Sequence, residues 1–465
     1  MGLAMRVAIV GAGLAGSLLA TYLARREGYE IALYERRTDP RGTAPERGRS
    51  INLALSERGL DALRRVGLSD QVMKDALPMR GRMIHPVAGD LDFQPYSHSG
   101  DRAINSISRG ALNNALLDAA LSYRNVTVHF GHKLTALDPA TGSMEFGGVR
   151  ARADIVLGAD GAGSAVRGQL LAVGLLDESL DFLDYGYKEL TIPARSGDFA
   201  LDPAALHIWP RGSSMMIALP NPDRSFTCTL FWPNGGTASF ASLSSPAAIR
   251  RHFERAYPDV PPLAPDLISD YQENPVGLLG TVHCDTWIAH GRVALIGDAA
   301  HAIVPFYGQG ANAAFEDVVE LDRCLDETAG DWPRALALYQ ERRQANSEAI
   351  AQMALENFVE MRDKVASPVF QWRKKLEHVL ETALPGRYVS RYELVSFSTT
   401  PYAQVQRRIR RQQLAVGAAL AATGAATALA AVILYGRWGR HTRSGQMGNH
   451  SRKIVGQKIV GGGGR

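Results

Sequence analysis

Cysteine is scarce in this sequence: its 465 residues include only Cys228, Cys284 and Cys324. The three are widely separated and lack the close spacing of metal ligands, which argues against a disulfide framework and a zinc site. We therefore expect no metal. The formal net charge of +4 at pH 7 is small for this length and does not indicate a nucleic-acid partner. No signal-peptide pattern precedes the first predicted strand, so we expect an intracellular protein.

A glycine-rich turn near the start of the chain is the first positive signal. The apolar strand Val7–Val10 leads into a Gly-x-Gly-x-x-Gly turn and a predicted helix. Gly11 allows the tight turn, Gly13 lets the backbone approach a pyrophosphate, and Gly16 lets the helix pack closely on the strand. Glu35 closes the next apolar strand and would accept hydrogen bonds from ribose hydroxyls. These features predict a dinucleotide site.

Two later segments have the pattern of a buried strand that ends in a carboxylate. Residues 153–161 end near Asp160, and residues 292–298 end in Gly297-Asp298. At the carboxyl ends of parallel strands, both carboxylates could hold one long, extended cofactor. The alternative for each motif taken alone is a carboxylate that caps the following helix.

The stretch after Asp298 is a glycine-rich loop, residues 305–312, that leads into a predicted helix. Its amides, including those of Gly310 and Ala311, and the positive end of the helix would point to one place. His301 lies among small apolar residues, which is more typical of a structural histidine than of a catalytic one.

The predicted strands and helices suggest interleaved domains. A nucleotide-binding domain is expected from residues 1–75, 104–175 and 281–330, and a substrate domain with antiparallel strands from residues 76–103 and 176–280. Residues 331–405 are expected to be helical, and residues 406–465 form a basic and hydrophobic tail.

The three motifs, in this order, resemble the class A flavoprotein monooxygenases, which are single-component FAD-dependent aromatic hydroxylases. The resemblance implies an α/β fold in which a Rossmann-like FAD-binding domain is interleaved with an antiparallel-sheet substrate domain, followed by a C-terminal helical segment. It also implies that NADPH reduces the bound FAD and that a flavin C4a-hydroperoxide, formed with O₂, hydroxylates an aromatic ring. Because only one Gly-x-Gly-x-x-Gly motif is convincing, NADPH is expected to bind transiently.

Further short segments, dispersed along the chain, resemble those members of the family that act on an aromatic amino acid. These segments are residues 48–56, 81–85, 184–190, 207–211, 356–363 and 390–397. Carried over by position, the resemblance implies that Arg82 and Tyr96 bind the substrate carboxylate and that Asn357 and Tyr392 complete the pocket. An arginine fork with a tyrosine hydroxyl is a suitable charge-assisted clamp.

On the cofactor side, the resemblance adds several residues to those of the motifs: Leu14, Glu35, Ala54, Arg109, Leu134, Asp298 and Asn312. Arg109 would be a cation near the phosphates at the start of its helix. Phe231, Phe306 and Met361 are expected as pocket walls. Tyr307 departs from the family, in which His or Phe is more usual in this loop.

Near the C-terminus, residues 414–435 form an uncharged, Ala-rich stretch between clusters of arginine. It is long enough to cross a bilayer, so a membrane anchor and a helix that closes the substrate domain are both open. The cytoplasm and a membrane surface are therefore alternative locations.

Two other functions remain open on the sequence alone: a class A hydroxylase of a different aromatic acid, and a membrane-associated FAD reductase that hydroxylates nothing.

Overall fold

A computed structural model describes residues 4–42, 52–97, 100–360, 377, 379–384 and 386–418. The chain divides into two compact units, Met1–Gln406 and Arg407–Arg465. In the second unit, the described residues 407–418 are helical. Most of the predicted anchor, residues 414–435, lies outside the described residues. Among the helices that are described, none combines the length and the apolar character needed to cross a membrane.

In chain order, the strands are β1 (Met5–Val10), β2 (Tyr29–Glu35), β3 (Leu53–Leu55), β4 (Leu77–Met79), β5 (Gly81–Ile84), β6 (Asp92–Pro95), β7 (Ile104–Ile107), β8 (Val126–Phe130), β9 (Ala136–Asp138), β10 (Ser143–Phe146), β11 (Val149–Arg152), β12 (Ile155–Gly158), β13 (Glu178–Ile192), β14 (Ala205–Pro210), β15 (Met215–Pro220), β16 (Phe226–Pro233), β17 (Gly277–Cys284), β18 (Ile288–Ala289) and β19 (Val293–Leu295).

The α-helices are α1 (Leu14–Ala24), α2 (Glu57–Arg65), α3 (Ser69–Met73), α4 (Arg109–Leu121), α5 (Ala165–Ala172), α6 (Pro246–Ala256), α7 (Leu267–Glu273), α8 (Asp298–His301), α9 (Gly310–Glu327), α10 (Trp332–Val359) and α11 (Arg391–Ser396). Short 3₁₀ turns lie at Pro40–Gly42, Phe240–Ser242 and Pro305–Tyr307.

A six-stranded sheet has the order β18-β19-β12-β1-β2-β8, and all its pairs except β18 with β19 are parallel. Parallel strands are buried on both faces, which explains why β1 and β12 are runs of apolar residues rather than alternating patterns. The carboxyl ends of β1, β12 and β19 lie side by side. This arrangement brings the turns at Gly11, Asp160 and Asp298 to one edge of the sheet.

A seven-stranded sheet has the order β17-β13-β16-β15-β14-β5-β6, and all its pairs except β14 with β5 are antiparallel. Side chains alternate between its two faces. On one face, Leu190 and Cys228 belong to a core with Ile249 and Phe253 of α6. On the other face, Phe231 borders a cavity.

The expected fold class is confirmed: strands of a parallel sheet and of an antiparallel sheet alternate along the chain, and helices follow them. The strands of the second sheet come from residues 81–95 and 178–284. We retain the division into domains predicted from the sequence as a proposal. The three cysteines are free and buried.

Candidate active site

A cavity of 610 Å³ extends from the edge of the parallel sheet to the open face of the antiparallel sheet. Fifteen of the predicted site residues line it: Gly11, Gly13, Leu14, Glu35, Ala54, Arg82, Tyr96, Arg109, Leu134, Asp160, Asp298, Gly310, Ala311, Asn357 and Tyr392. Residues far apart in the sequence thus share one cavity. Gly16 and Asn312 are the two predicted residues that do not line it.

The glycine turn has the geometry that its sequence pattern predicts. Gly11 has a φ of +104°, and a Cβ there would lie 2.5 Å from the carbonyl oxygen of Ala159. A Cβ on Gly16 would lie only 1.9 Å from the carbonyl oxygen of Gly11, so this glycine serves the packing of α1 on the turn. A Cβ on Gly13 would meet nothing within 4 Å. Gly13 therefore leaves the cavity side of the turn open to a ligand, which fits a pyrophosphate.

Glu35 lies buried at the end of β2, beside the glycine turn. One of its carboxylate oxygens accepts a hydrogen bond from the amide of Ala12 at 3.1 Å, and the other accepts from the amide and Nε of Arg37 at 3.0 and 2.9 Å. Burial acts to raise the pKa of Glu35, but these bonds hold the pKa below its ordinary value. Oε1 thus accepts two hydrogen bonds and Oε2 accepts one, so Oε2 retains a lone pair that can accept a hydrogen bond from a ribose hydroxyl.

Asp160 both lines the cavity and caps the helix that follows it. Its carboxylate accepts hydrogen bonds from Ser164 Oγ at 2.5 Å and from the amides of Ala165 and Val166 at 2.6 and 3.2 Å. Burial raises the pKa of Asp160 despite these bonds. Asp160 therefore caps α5, which was the alternative for this motif. It also lines the cavity, as the predicted cofactor role requires.

Asn312 is buried behind the cavity and joins two of its walls. Its Oδ1 accepts from the amide of Ser56 at 3.0 Å, and its Nδ2 donates to the carbonyl oxygens of Ala54 and Gly308, each at 2.9 Å. Asn312 therefore positions the loop that carries Gly310 and the strand that carries Ala54. Asn312 is therefore a positioning residue, which holds two walls of the cavity without lining it.

The far end of the cavity contains Arg82 between aromatic rings. Its guanidinium carbon lies 4.5 Å from the ring centroid of Tyr392 and 5.9 Å from that of Tyr96, and the two tyrosines stack at 4.9 Å. Burial acts to lower the pKa of Arg82, but the neighbouring tyrosines raise it above its ordinary value, so the guanidinium stays charged. Burial raises the pKa of Tyr96 well above its ordinary value, so its hydroxyl keeps its proton.

Two polar atoms at this end make no hydrogen bond to any residue that the structure describes: Arg82 Nε and Tyr96 Oη. A buried donor without a partner is costly, and such groups in folded proteins call for an explanation. A carboxylate on a ligand would satisfy both. The site thus has the chemistry of an anion clamp next to an apolar chamber.

Asn357 lies near the end of α10 and donates from Nδ2 to the carbonyl oxygen of Phe306 at 2.7 Å. The ring of Phe306 stacks on Phe358 at 4.1 Å and contacts Phe231 at 5.0 Å. Asn357 therefore fixes the loop that forms an apolar wall. Tyr307 is buried in the same loop, with its ring centroid 6.1 Å from that of Tyr392. Met361, also expected in the wall, lies outside the described residues.

A buried ionic network behind the loop was not anticipated from the sequence. Arg343 pairs with Asp317 at 2.6 Å and with Glu316 at 3.2 Å, and Asp317 Oδ2 lies 2.6 Å from His301 Nε2. Asp317 Oδ2 also accepts from the amide of Gly297 at 2.8 Å. His301 is thus a structural histidine, as its sequence context indicates. Acidic residues of an amphipathic helix carry no sequence signal that they are buried.

Comparison with known proteins agrees with this geometry. The FAD binding domain family matches residues 4–225 and 280–354. Kynurenine 3-monooxygenases from Stenotrophomonas maltophilia and Myxococcus xanthus are each 49% identical, over 88% and 85% of this chain and 90% and 86% of their own lengths. The enzyme of that name from Dictyostelium discoideum is 46% identical over 86% of this chain and 90% of its own length.

The chain belongs to the kynurenine 3-monooxygenase family. It is an FAD-dependent aromatic monooxygenase and binds FAD, as the sequence motifs predict.

Solved structures support the same fold at lower identity. 2-Methyl-3-hydroxypyridine-5-carboxylic acid oxygenase has a TM-score of 0.65 at 22% identity, covering 79% of this chain and 95% of its own. Tetracycline destructase Tet(51) has a TM-score of 0.59 at 19% identity, covering 82% and 98%.

Proposed function

We propose that this chain hydroxylates L-kynurenine at ring carbon 3, next to the carbon that bears the ring amine, with NADPH and O₂ as cosubstrates. The observation that carries the proposal is the charged clamp of Arg82 and Tyr96, whose free polar atoms lie in the same cavity as the glycine turn. The names of the relatives support the choice of substrate.

The chain's own residues would perform three tasks in this reaction. Arg82, Tyr96 and Tyr392 bind the amino-acid carboxylate through charge-assisted contacts. Apolar side chains along the cavity, such as Ile217 and Phe231, enclose the ring and exclude water. Asn357 holds the Phe306 carbonyl and so keeps the wall in place.

The predicted cofactor residues have the chemistry that FAD requires, and the open space at Gly13 leaves room for its pyrophosphate. Gly11, Gly13 and Leu14 would hold the pyrophosphate at the start of α1, and Glu35 would hold the ribose. The start of α9, at Gly310 and Ala311, would face the flavin ring. When bound, FAD supplies the activation of O₂ that no side chain can supply.

The test is NADPH oxidation by the FAD-loaded enzyme with and without L-kynurenine, with the organic product followed by mass. Strong stimulation together with the gain of one oxygen atom is the expected result. Stimulation with peroxide and no oxygenated product would make L-kynurenine an effector only. No stimulation, with turnover of another aromatic acid, would favour the wider class A assignment.

A membrane anchor at residues 414–435 remains a prediction that fractionation can test. The full chain should partition with membranes, and a variant that ends at residue 413 should not. Equal partitioning of the full chain and the shortened variant would contradict a membrane anchor at residues 414–435.

A further inference from the structure

Thr229 is a third residue of the cavity wall whose polar atom has no partner. It lies on β16 with 1% of its surface exposed, and its Oγ1 makes no hydrogen bond to any described residue. Only two other lining residues of the described cavity share this property, and they are Arg82 and Tyr96. Those two form the clamp for the substrate carboxylate in the proposed function. A hydroxyl buried in the same way, in the same cavity, calls for the same explanation.

The sheet places Thr229 at a definite distance from the clamp. Thr229 is paired with Ile217 of β15, while Arg82 is on β5, and β14 and β15 lie between the two strands. Three interstrand spacings correspond to about 14 Å between β5 and β16. The long Arg82 side chain covers part of this distance, and a ligand that it holds must span the rest to reach Thr229.

The wall between the clamp and Thr229 is apolar. Leu206, Ile217 and Leu219 line the cavity there, and Phe231, two residues after Thr229, lies on the same face of β16. A ligand that fits has a carboxylate at one end and, across the apolar wall, a ring that bears a hydrogen-bond donor. L-Kynurenine has these parts: its amine is on the ring carbon next to the acyl chain, and that chain separates the ring from the carboxylate.

We propose that Thr229 Oγ1 accepts a hydrogen bond from the ring amine of the substrate and so determines which ring edge is presented for oxygenation. The inference rests on the proposed function. The carbon that is hydroxylated is the neighbour of the amine-bearing carbon, so fixing the amine fixes the position of that carbon. A site built to bind an N–H also rejects analogues that lack it, because the site's own polar atom stays unpaired.

The test measures equilibrium binding to the FAD-loaded enzyme by the change in flavin absorbance. Two ligands are compared: L-kynurenine and its analogue without the ring amine, 2-amino-4-oxo-4-phenylbutanoic acid. Thr229→Val keeps the side-chain shape and removes only the hydroxyl. We expect it to weaken L-kynurenine binding about 10-fold, which is typical for the loss of one hydrogen bond, and to leave binding of the analogue unchanged.

Two further variants separate this role from a structural one. Thr229→Ser keeps the hydroxyl and should restore most of the affinity for L-kynurenine. Thr281→Val makes the same change on β17, where Thr281 Oγ1 is also buried without a partner among the described residues but does not line the cavity. It should alter neither ligand's affinity.

An equal loss of affinity for both ligands in Thr229→Val would overturn the inference and leave Thr229 as a shape-determining wall residue. So would unchanged binding of both. If the unaltered enzyme neither binds nor hydroxylates L-kynurenine, the proposed function fails, and the inference with it. If the unaltered enzyme hydroxylates L-kynurenine, but Thr229→Val changes the affinities for the two ligands by the same factor, only the inference about Thr229 fails.

Discussion

Two arginines removed from bulk solvent, Arg58 and Arg82, show opposite ways of burying a cation. The Arg58 side chain is fully buried and donates from Nε to the Val395 carbonyl at 2.8 Å and from one terminal nitrogen to the Thr400 carbonyl at 2.6 Å. Its other terminal nitrogen pairs with Glu316 at 2.5 Å. Arg82 borders the cavity between tyrosine rings, and its Nε has no described partner. An arginine whose hydrogen-bond donors all have acceptors indicates a structural role. A donor without an acceptor beside a cavity indicates a residue that binds a ligand.

The position of Arg58 explains its structural role. It joins α2, which follows strand β3, to α11, the helix that carries Tyr392, and to the chain segment after it. Through Glu316 it also connects to Arg343 and Asp317 behind the predicted flavin loop. Burial acts to raise the pKa of Asp317, but His301 and Arg343 hold the pKa below its ordinary value. Asp317 therefore stays ionised, and the network links segments that are far apart in sequence.

The comparison is tested most directly by Arg58→Ala, for which we expect the largest loss of stability. Removing one partner of a buried pair leaves carbonyls and a carboxylate without their donor, which costs about 3–5 kcal/mol. Urea unfolding followed by fluorescence measures the loss. Arg65→Ala is the matched control on the same helix, because its pair with Asp61 is partly exposed and worth at most about 1 kcal/mol. Equal losses for the two variants would contradict the structural role of Arg58.

Arg82→Met should give the opposite result. Loss of a charge-assisted contact should weaken L-kynurenine binding by about 2–5 kcal/mol, while the free energy of unfolding changes by less than about 1 kcal/mol because no described hydrogen bond of Arg82 Nε is lost. Titration with L-kynurenine and urea unfolding measure the two quantities. Arg80→Met, at an exposed arginine just before β5, should leave both unchanged. Unaltered affinity in Arg82→Met would remove Arg82 from the substrate site.

His207 offers a third case, in which a histidine is buried without its charge. Its neighbour His85 lies 2.8 Å through Nδ1 from the Asp259 carboxylate. His85 Nε2 lies 2.8 Å from His207 Nδ1, and His207 Nε2 donates to the Asp202 carbonyl at 2.9 Å. Burial lowers the pKa of His207 to about 4. His207 therefore binds a proton near pH 6.5 in the unfolded chain but only near pH 4 in the folded chain. The free energy of unfolding consequently falls as the pH decreases between these values.

We expect His207 to account for up to about 3 kcal/mol of that fall, at about 1.4 kcal/mol per unit of pKa difference. The measurement is the free energy of unfolding at several pH values for the unaltered chain and for His207→Asn. The variant should show a shallower dependence on pH, whatever its absolute stability. An identical slope would mean that His207 does not differ in proton affinity between the folded and unfolded states.

Tyr402→Phe should have the smallest effect. The ring of Tyr402 lies 3.8 Å from the Arg58 guanidinium carbon, and its hydroxyl donates to Gln309 Oε1 at 2.9 Å. Phenylalanine keeps the ring and loses the hydrogen bond, so we expect a loss of about 1 kcal/mol in unfolding experiments. A loss as large as that of Arg58→Ala would mean that the hydroxyl, rather than the guanidinium, holds this segment.

Sequence patterns were sufficient where the physical requirement is local. The φ of Gly11, the close packing at Gly16 and the ends of β1 at Val10 and of β2 at Glu35 follow from short-range sterics and strand propensity, whereas both strands begin two residues earlier than predicted. Fifteen predicted residues lie on one cavity because parallel strands present their carboxyl ends to the same edge of the sheet. Asn312 lies behind the wall, and its assignment to the cofactor stays a prediction.

The residue patterns alone predicted the nucleotide turn and the alternation of the two sheets, and the resemblance to a known family added the FAD-dependent class and the candidates for the carboxylate clamp. Which buried polar groups have partners depends instead on tertiary packing. The partners of Arg58 and Asp317 come from helices and loops distant along the chain, whereas Thr229 Oγ1 meets none among the described residues. The free energy of burying a polar atom depends on whether such partners arrive within hydrogen-bond distance. Where an unpartnered polar atom also belongs to a residue that lines the cavity, as for Arg82 and Thr229, we propose that it binds a ligand.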